Sequence, residues 1–350
     1  MNCACKRHSL FCIVPPYMLE HMANASDWKL RKTCIDAIAS SADARATRRV
    51  LRTMPEMAAL IAPTGRKQRL VYDARHLSMS ALPGKLVRRE GDSAVADVAV
   101  NEAYSHSGTT YDFYLKRFAR NSLDGNGMAL ISSVHVGTNL NNAFWNGQQM
   151  AYGDGDGQIF VRFTKSLDVV GHELTHGVIA HECNLDYQGE SGALNEHLAD
   201  VFGTLAKQWK KKQTAAAADW LIGNDILGPA TTARALRTFS ADKAYENDPL
   251  LGTDPQPKHL KDKYKGTSDN GGVHINSGIP NHAFYLFAKS VGGNAWDVPG
   301  AVWYEAMKQL SSNSQFADMV RVTGMIAGAQ HGNNGPVHQA LTNAWRQVGL

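Results

Sequence analysis

The strongest chemical signal in the chain is a pair of histidines four residues apart, His172 and His176, with Glu173 directly after the first. Residues four apart lie on one face of a helix, so both imidazoles can reach one metal ion from the same side. Glu173 then lies beside the ion without binding it, where a carboxylate can accept a proton from a water molecule. By itself, the pattern also fits a surface helix that carries polar residues.

A second helical segment supplies a third ligand, because nineteen residues lie between His176 and Glu196. A helix, a short turn and a returning helix would place Glu196 against the histidine pair. Two imidazoles and one carboxylate leave a tetrahedral zinc ion one open position, which is the arrangement of a hydrolytic site. Asp200 lies one turn further along and can accept the other ring N–H of a liganding histidine. A structural salt-bridge role for Glu196 and Asp200 is the alternative.

The composition is that of an ordinary globular chain of 350 residues, a length that suits two or three domains. The sequence has no run of eighteen apolar residues, so we predict no membrane-spanning segment. The formal net charge is only +4, and basic runs such as Lys210-Lys211-Lys212 are typical of solvated surface. We therefore predict neither a nucleic acid nor a membrane partner.

Cysteines are concentrated near the amino terminus. Only one of the five follows residue 34, so the body of the protein has no pair for an internal disulfide. The five are Cys3, Cys5, Cys12, Cys34 and Cys183. We predict that stability does not depend on an oxidising compartment.

The chain divides into three parts of different texture. Residues 1–60 are basic and free of glycine, with a helical pattern through Trp28, Ile35, Ile38 and Val50. A proline-containing linker follows, and residues 69–163 show short alternating runs that predict β-strands. From residue 166 onward, apolar residues recur every three or four positions and predict helices.

Two glycine-rich clusters interrupt the β-like part, at residues 124–127 and 153–157. The second resembles the start of an EF-hand loop, but the twelfth position is Lys165, where a bidentate glutamate would be needed. We interpret both clusters as hairpin turns.

Four motifs in the same order resemble those of the thermolysin-like zinc metallopeptidases. The similarity extends from about Tyr72 to the carboxyl terminus, and the leader, with Pro15-Pro-Tyr-Met-Leu19, resembles the short propeptide of the protealysin-like subgroup. The motifs are Asn141-Asn-Ala-Phe-Trp-Asn-Gly147, Asp168-Val-Val-Gly-His-Glu-Leu-Thr-His176, the segment from Gly189 to Asp200, and Asp269-Asn-Gly-Gly-Val-His-Ile-Asn-Ser-Gly278.

The resemblance implies an α+β fold, a two-domain zincin with the active-site cleft between its halves. Residues 69–180 would form a β-rich domain that ends in the helix of the histidine pair. Residues 181–350 would form an α-helical domain. Residues 1–60 would be a mostly helical propeptide, with a boundary between residues 50 and 70.

The resemblance also implies a role for each matching residue. His172, His176 and Glu196 would bind one catalytic zinc ion, with Asn195 and Asp200 as hydrogen-bond partners of His176 and His172. Glu173 would be the proton acceptor, and Tyr187 and His274 would donate to the oxyanion, with Asp269 as the partner of His274. Asn142, the Ala143 carbonyl and Arg237 would bind the peptide backbone of the substrate. Phe160, Val169 and Leu236 would line an apolar pocket.

The implied function is a zinc-dependent endopeptidase that cleaves peptides and proteins before apolar residues and is made as a proenzyme. The tethered leader would inhibit it at high effective concentration. Two other functions remain open, a zinc aminopeptidase and a non-catalytic binding protein on a peptidase scaffold. An alternative mechanism makes His274 the base in place of Glu173.

The chain departs from the family at the double calcium site. Of its carboxylates, Asp168 and Asp219 are present, whereas the other positions hold Lys207, Leu221 and Asn224. A lysine ammonium replaces part of the charge of an ion but cannot coordinate one. We predict that this calcium cluster is absent or weak, and calcium elsewhere remains open.

The amino terminus bears on location. The apolar stretch from Leu10 to Val14 is shorter than the usual core of a signal peptide and ends at Pro15. We therefore expect that the chain has no cleavable signal peptide. We also expect that the proenzyme accumulates in the cytoplasm. Because the family is largely secreted, export by another route or release by lysis remains open.

Overall fold

The structure, a computed structural model, describes residues 11–24, 28, 31, 32, 35 and 65–350. Trp28 and Ile35 are helical, as the leader pattern predicts. The rest of that pattern, the linker and the predicted leader boundary lie outside the described residues.

The described strands of the amino-terminal half form one mixed sheet. Its order is β1-β5-β6-β4-β2-β3. Strands β2, β4 and β6 are mutually parallel, whereas β1 and β3 run antiparallel to their neighbours. The strands are β1 Phe11–Cys12, β2 Arg69–Asp73, β3 Lys85–Arg89, β4 Leu130–Val134, β5 Ala143–Trp145 and β6 Met150–Tyr152. The leader therefore supplies an edge strand of this sheet.

Helices dominate the second half, as predicted. A short antiparallel pair, β7 Leu221–Ile222 and β8 Arg237–Thr238, lies between them. No helix within the described residues combines the length and the apolar character that crossing a membrane requires. The helices are α1 Pro16–Ala23, α2 Val98–Phe118, α3 Leu167–Glu182, α4 Gly189–Lys211, α5 Ser268–Asn276, α6 Gly278–Val291, α7 Val298–Met307, α8 Phe316–His331 and α9 Pro336–Gln347.

The prediction of β-structure throughout residues 69–163 is wrong for α2. Its buried face includes Ser107 and Thr110 besides apolar residues, and these small polar side chains hide the helical period in the sequence. Asp97 caps the helix, since its side chain accepts hydrogen bonds from the N–H groups of Ala99 and Val100 at 2.8 and 3.3 Å. Long-range packing against the sheet decides the conformation here.

The hairpin interpretation of the two glycine clusters is also wrong. The first cluster connects α2 to β4, and the second follows β6 and leads toward a 3-10 helix at Phe163–Lys165. In the second, the Asp156 side chain accepts hydrogen bonds from the N–H groups of Gln158 and Ile159, both at 2.8 Å. Side-chain caps of this kind hold a loop without a returning strand.

Helices α3 and α4 cross where two glycines meet, and this crossing positions the site. A Cβ on Gly203 would lie 2.6 Å from the carbonyl oxygen of Asp168 and 2.8 Å from the amide nitrogen of His172. A Cβ on Gly171 would lie 3.0 Å from the Cα of Gly203. Only glycine permits this approach, which brings the third predicted ligand to the histidine pair.

The buried apolar residues form one continuous core that runs from the sheet through the helices. The leader takes part in it, because Met18, Leu19 and Met22 on α1 are buried in the same cluster. Burial of these side chains holds the leader against the catalytic part of the chain.

Candidate active site

The three predicted metal ligands meet in a buried cluster between α3 and α4. The Nε2 atoms of His172 and His176 lie 3.0 Å apart. Each also lies 3.5 Å from a carboxylate oxygen of Glu196. All three side chains are fully buried. The helix, turn and returning helix predicted from the sequence therefore bring these groups together.

Each histidine is oriented by a hydrogen bond at its other ring nitrogen. Nδ1 of His172 lies 2.9 Å from Asp200 Oδ1, and Nδ1 of His176 lies 2.8 Å from Asn195 Oδ1. Since these oxygens accept, the Nδ1 atoms carry the protons and the Nε2 lone pairs point into the cluster. Burial, and then the neighbouring His172, lower the pKa of His176, which favours the neutral, ligating form of the ring.

The chemistry of this donor set fits a zinc ion. The ligand atoms of the three residues all lie within 4.8 Å of one another. Within the described part of the chain, the buried Oε2 atom of Glu196 accepts no hydrogen bond. A buried carboxylate oxygen without a hydrogen bond needs positive charge nearby, and the nitrogens nearest to it are Nε2 of His172 and Nε2 of His274, each at 3.5 Å. Two imidazoles and one carboxylate are a ligand set that zinc takes in hydrolytic sites.

Glu173 is fully buried beside the cluster. Its Oε2 accepts a hydrogen bond from the backbone N–H of Trp145 on β5 at 2.9 Å. Burial and the neighbouring carboxylate of Glu196 raise the pKa of Glu173 well above its usual value, and the N–H groups of Trp145 and Ile13 oppose this rise. A carboxylate so placed has a raised proton affinity, as a proton acceptor needs.

His274 and Tyr187 approach the cluster from the opposite side. The Tyr187 hydroxyl donates to Glu196 and lies 3.1 Å from His274 Nε2. The Asp269 carboxylate accepts two hydrogen bonds from His274, one from Nδ1 at 2.6 Å and one from the backbone N–H at 2.8 Å. Although burial opposes it, the carboxylates of Glu196 and Asp269 raise the pKa of His274 to about 9. The ring faces an oxygen atom at each nitrogen, Asp269 at Nδ1 and the Cys12 carbonyl at Nε2, so it is placed to donate hydrogen bonds.

The segment before His274 explains its position. Four successive residues, Asp269 to Gly272, have positive φ angles between 53° and 82°. Two of them are glycines, which adopt this conformation without the strain that a Cβ causes. The tight left-handed turn folds Asp269 back onto the first turn that contains His274.

Asp200 joins a predicted metal ligand, His172, to a residue predicted to bind the substrate, Arg237. Its carboxylate accepts two hydrogen bonds from Arg237, at 2.8 and 2.9 Å, besides the one from His172. Although burial opposes it, the Arg237 guanidinium holds the pKa of Asp200 far below its usual range. Asn281 on α6 also donates to Asp200 at 2.9 Å. Asn281 was not predicted from the sequence, because nothing in its local pattern connects it to the metal motif.

Residues of the leader lie in the cleft beside these groups. Strand β1 pairs with β5 in antiparallel register, Phe11 with Trp145 and Cys12 with Phe144. The Ile13 N–H donates to the Ala143 carbonyl at 3.4 Å, and Arg237 Nη1 donates to the Ile13 carbonyl at 3.0 Å.

The contacts continue on both sides of Ile13. The Val14 N–H donates to Asn142 Oδ1 at 3.1 Å, and Asn142 Nδ2 donates to the Val14 carbonyl at 3.4 Å. On the other side, the Cys12 carbonyl oxygen lies 3.1 Å from His274 Nε2. The groups predicted to bind a peptide backbone therefore bind the backbone of the leader.

The leader was recognised by its Pro15-Pro-Tyr-Met-Leu19 segment, but the residues in the cleft are the preceding ones, Cys12 to Val14. Pro15 is the residue before α1, and Pro16 begins that helix. A proline at the first helical position starts a helix well because it needs no N–H partner there. The prolines therefore end the extended segment, and their position was the feature of the sequence that could have located this segment.

The residues predicted to line the apolar pocket are buried in the core. Phe160, Val169 and Leu236 are completely inaccessible, and Ile13 is also completely buried in the same cluster. Phe160 packs on Phe163, with ring centroids 5.6 Å apart. Apolar surroundings of this kind favour an apolar side chain.

At the predicted calcium positions, a lysine ammonium lies among the oxygen atoms. Lys207 Nζ is 2.8 Å from Asp168 Oδ2, 3.2 Å from Asp219 Oδ1 and 2.6 Å from the Leu221 carbonyl oxygen. Although burial opposes it, Lys207 lowers the pKa of Asp168. The side chains of Lys207 and Asp168 are both buried.

Two family models match the chain from residue 61 onward. The model described as the thermolysin metallopeptidase catalytic domain matches residues 61–180. The model described as the thermolysin metallopeptidase alpha-helical domain matches residues 183–350.

Curated proteins with similar sequences are peptidases. An extracellular metalloprotease of Pectobacterium carotovorum subsp. carotovorum is 43% identical over 348 residues, which cover 99% of this chain and 98% of the relative. Protease PrtS of Photorhabdus sp. (strain Az29) is 45% identical, over 81% of this chain and 76% of the relative. A thermolysin of Alicyclobacillus acidocaldarius subsp. acidocaldarius is 40% identical, over 80% of this chain and 50% of the relative.

A solved structure matches nearly the whole chain. The precursor of protealysin, a metalloproteinase from Serratia proteamaculans, superposes with a TM-score of 0.86 at 44% sequence identity. The match covers 97% of this chain and 99% of that one.

Proposed function

Because the chain belongs to the thermolysin family of zinc metallopeptidases, it is a metalloendopeptidase made as a proenzyme, and we propose how its own residues perform and restrain peptide cleavage. The predicted family, α+β fold class and hydrolase function are confirmed. The roles of individual residues, the apolar preference and the action of the leader form the proposal.

We assign His172, His176 and Glu196 as the ligands that would hold zinc, since their donor atoms converge and Asp200 and Asn195 orient the rings. When bound, the ion supplies Lewis acidity to the water and to the carbonyl group of the substrate. The single observation that carries this assignment is the burial of two histidines and an underbonded carboxylate around one point.

Glu173 accepts a proton from the attacking water and delivers it to the nitrogen of the leaving amine. The position of the Ile13 nitrogen supports this role, because the Ile13 N–H faces the Glu173 carboxylate. That nitrogen belongs to the peptide bond between Cys12 and Ile13, which occupies the place of a scissile bond. Glu173 is therefore next to the atom that must gain a proton.

His274 and Tyr187 donate hydrogen bonds to the carbonyl oxygen as it becomes negative. The Cys12 carbonyl oxygen, 3.1 Å from His274 Nε2, marks where this oxygen would lie. Each such donor typically contributes about 10² to 10³ to the rate. In the alternative mechanism His274 is the base, but its two ring nitrogens face the oxygens of Asp269 and Cys12, which favours a ring that donates.

The leader inhibits the proenzyme by binding as a peptide substrate would. It adds a strand to the edge of β5 and places Ile13 in the position just after the scissile bond. Because the chain continues on both sides of that bond, the cleft accepts internal segments, which favours an endopeptidase over an aminopeptidase. The burial of Ile13 supports a preference for apolar residues at this position.

The lysine ammonium at Lys207 takes the place of calcium in the double calcium site. Its three oxygen neighbours support this part of the proposal. Where the proenzyme accumulates stays a prediction, which fractionation of cells that express the full-length chain would test.

Purified protein tests the proposed function directly. The wild-type chain should digest casein, the cleavage sites should precede apolar residues, and a chelator should stop the reaction. Blocked internal peptides should be cut, whereas an aminopeptidase would leave them intact. A zinc-loaded mature protein that digests nothing would contradict the proposal.

A further inference from the structure

Three adjacent parallel strands end at one edge of the sheet, and each is followed by a side chain that can bind a metal. His76 follows β2, His135 follows β4 and Asp154 follows β6. The carboxyl ends of parallel strands meet at the same edge of a sheet, where ligands often bind. This cluster belongs to the β-rich half and shares no residue with the catalytic centre.

The three side chains lie within reach of one ion. His135 Nδ1 is 2.9 Å from both oxygens of Asp154, and His76 Nδ1 is 3.6 Å from Asp154 Oδ2. One ligand atom from each residue falls within 4.8 Å of the other two. The His76 side chain is 57% exposed, so solvent can reach the cluster and complete the coordination.

A fourth residue orients one of these rings, as carboxylates do for histidines that bind metals. His135 Nε2 lies 2.7 Å from Asp97 Oδ2, while Nδ1 faces Asp154. The catalytic centre uses the same arrangement, in which a carboxylate binds the ring nitrogen that faces away from the ion. Together, Asp97 and Asp154 supply two negative charges, which balance a divalent ion.

The backbone fixes the two histidines in an uncommon conformation. His76 and His135 both have positive φ angles, 59° and 54°. The His76 N–H donates to the His135 carbonyl at 2.8 Å, which ties the two residues together. Left-handed residues other than glycine are uncommon, and histidine is among the types enriched there.

We propose that His76, His135 and Asp154 form a second metal site, which binds zinc or a similar divalent transition ion. Imidazole nitrogens select such ions over calcium and magnesium, and two imidazoles with one carboxylate are a ligand set known for zinc. Without an ion, His135 Nδ1 lies within hydrogen-bond distance of Asp154, so a bound ion must displace a proton from that nitrogen.

The test counts zinc ions in full-length protein. All variants carry Glu173→Gln, so that the chain does not digest itself, and each is dialysed against zinc and then analysed by mass spectrometry of the metal. We expect two zinc equivalents per chain. His76→Asn should retain one, and asparagine is chosen because it tolerates the positive φ of this position. The matched control His331→Ala, a partly buried histidine at the end of α8, should retain two.

A second variant keeps the test decisive if the first variant does not fold. If His76→Asn does not fold, Asp154→Asn replaces it and should also lose one equivalent. His172→Ala should remove the other equivalent, so that a failure at the catalytic centre is distinguished from a failure at this cluster. The proposal is contradicted if the protein with an intact cluster binds only one zinc equivalent. It is also contradicted if both His76→Asn and Asp154→Asn still bind two equivalents, since the cluster is then held by ion pairs alone.

Discussion

The carbonyl oxygen of Cys12 lies 3.1 Å from Nε2 of His274, although 262 positions separate the two residues. This contact places the first described residues of the leader in the cleft, in the register of a peptide to be cut. Together with the contacts of Ile13 to Ala143 and Arg237, it supports the proposal that the tethered leader inhibits the proenzyme.

Ile13→Asp should weaken inhibition by the leader. The substitution would bury a carboxylate among apolar walls, which is costly unless the charge is paired. We expect the uncleaved precursor to hydrolyse an internally quenched peptide at least tenfold faster than the wild-type precursor. Initial rates are measured while intact-mass spectrometry verifies that the leader is still attached.

Glu20→Ala serves as the matched control for this variant, because Glu20 is an exposed residue of the leader on α1. It should leave the initial rate unchanged. A wild-type precursor that is fully active at full length would contradict inhibition by the leader.

The rate should depend on the protonation of His274. Its pKa is raised to about 9, so the donating form is present below that pH and is lost as the pH rises through it. The charge of bound zinc would lower this pKa, so the alkaline limb of kcat/KM should lie at or below about pH 9. The limb should disappear in His274→Ala.

The size of the loss in His274→Ala separates the two mechanisms. As a donor, His274 should contribute about 10² to 10³ to kcat. Tyr187→Phe should show a loss of the same kind, with the zinc content unchanged. If His274 is the base, its removal should abolish activity as completely as the removal of Glu173.

Lys207→Met should destabilise the fold, because it leaves the buried Asp168 carboxylate without its cation. Breaking a buried ion pair by removing one partner typically costs about 3–5 kcal/mol. Lys211→Met, at an exposed position of the same helix, is the control. Unfolding by urea at pH 7 measures both variants.

The same ion pair predicts a dependence on pH. Since Lys207 lowers the pKa of Asp168 in the folded state, its contribution is present above the ordinary aspartate pKa of about 4 and is lost as the pH falls below that value. The wild type should therefore lose more stability than Lys207→Met upon acidification. Because calcium elsewhere in the chain remains open, the test must address this site alone: a calcium ion located between Asp168 and Asp219 in crystals grown with millimolar calcium would contradict the replacement of calcium by lysine.

The sequence predicted the metal cluster well because its information is local. His172 and His176 share a face of α3, and the length of the following segment returns Glu196 to that face. By contrast, the cleft contacts of Cys12 and the support of Asp200 by Asn281 depend on elements far apart in the chain. Nothing in the local pattern of either residue indicates its partner.

Two further features were hidden for different physical reasons. Helix α2 carries Ser107 and Thr110 on its buried face, so its apolar period is weak, and tertiary packing decides its conformation. The cluster of His76, His135 and Asp154 depends on which strands are neighbours. The order of strands in a sheet is not set by residue types, so this cluster became visible only in the fold.

The most direct test of the central claim is the activity and zinc content of Glu173→Gln. The glutamine keeps the size of the side chain, and its carbonyl oxygen can still accept the hydrogen bond from the Trp145 N–H. We predict zinc content equal to that of the wild type and a loss of at least about 10³ in kcat/KM, in the range of a general base. A Glu173→Gln protein that cleaves casein at the wild-type rate would contradict the assignment.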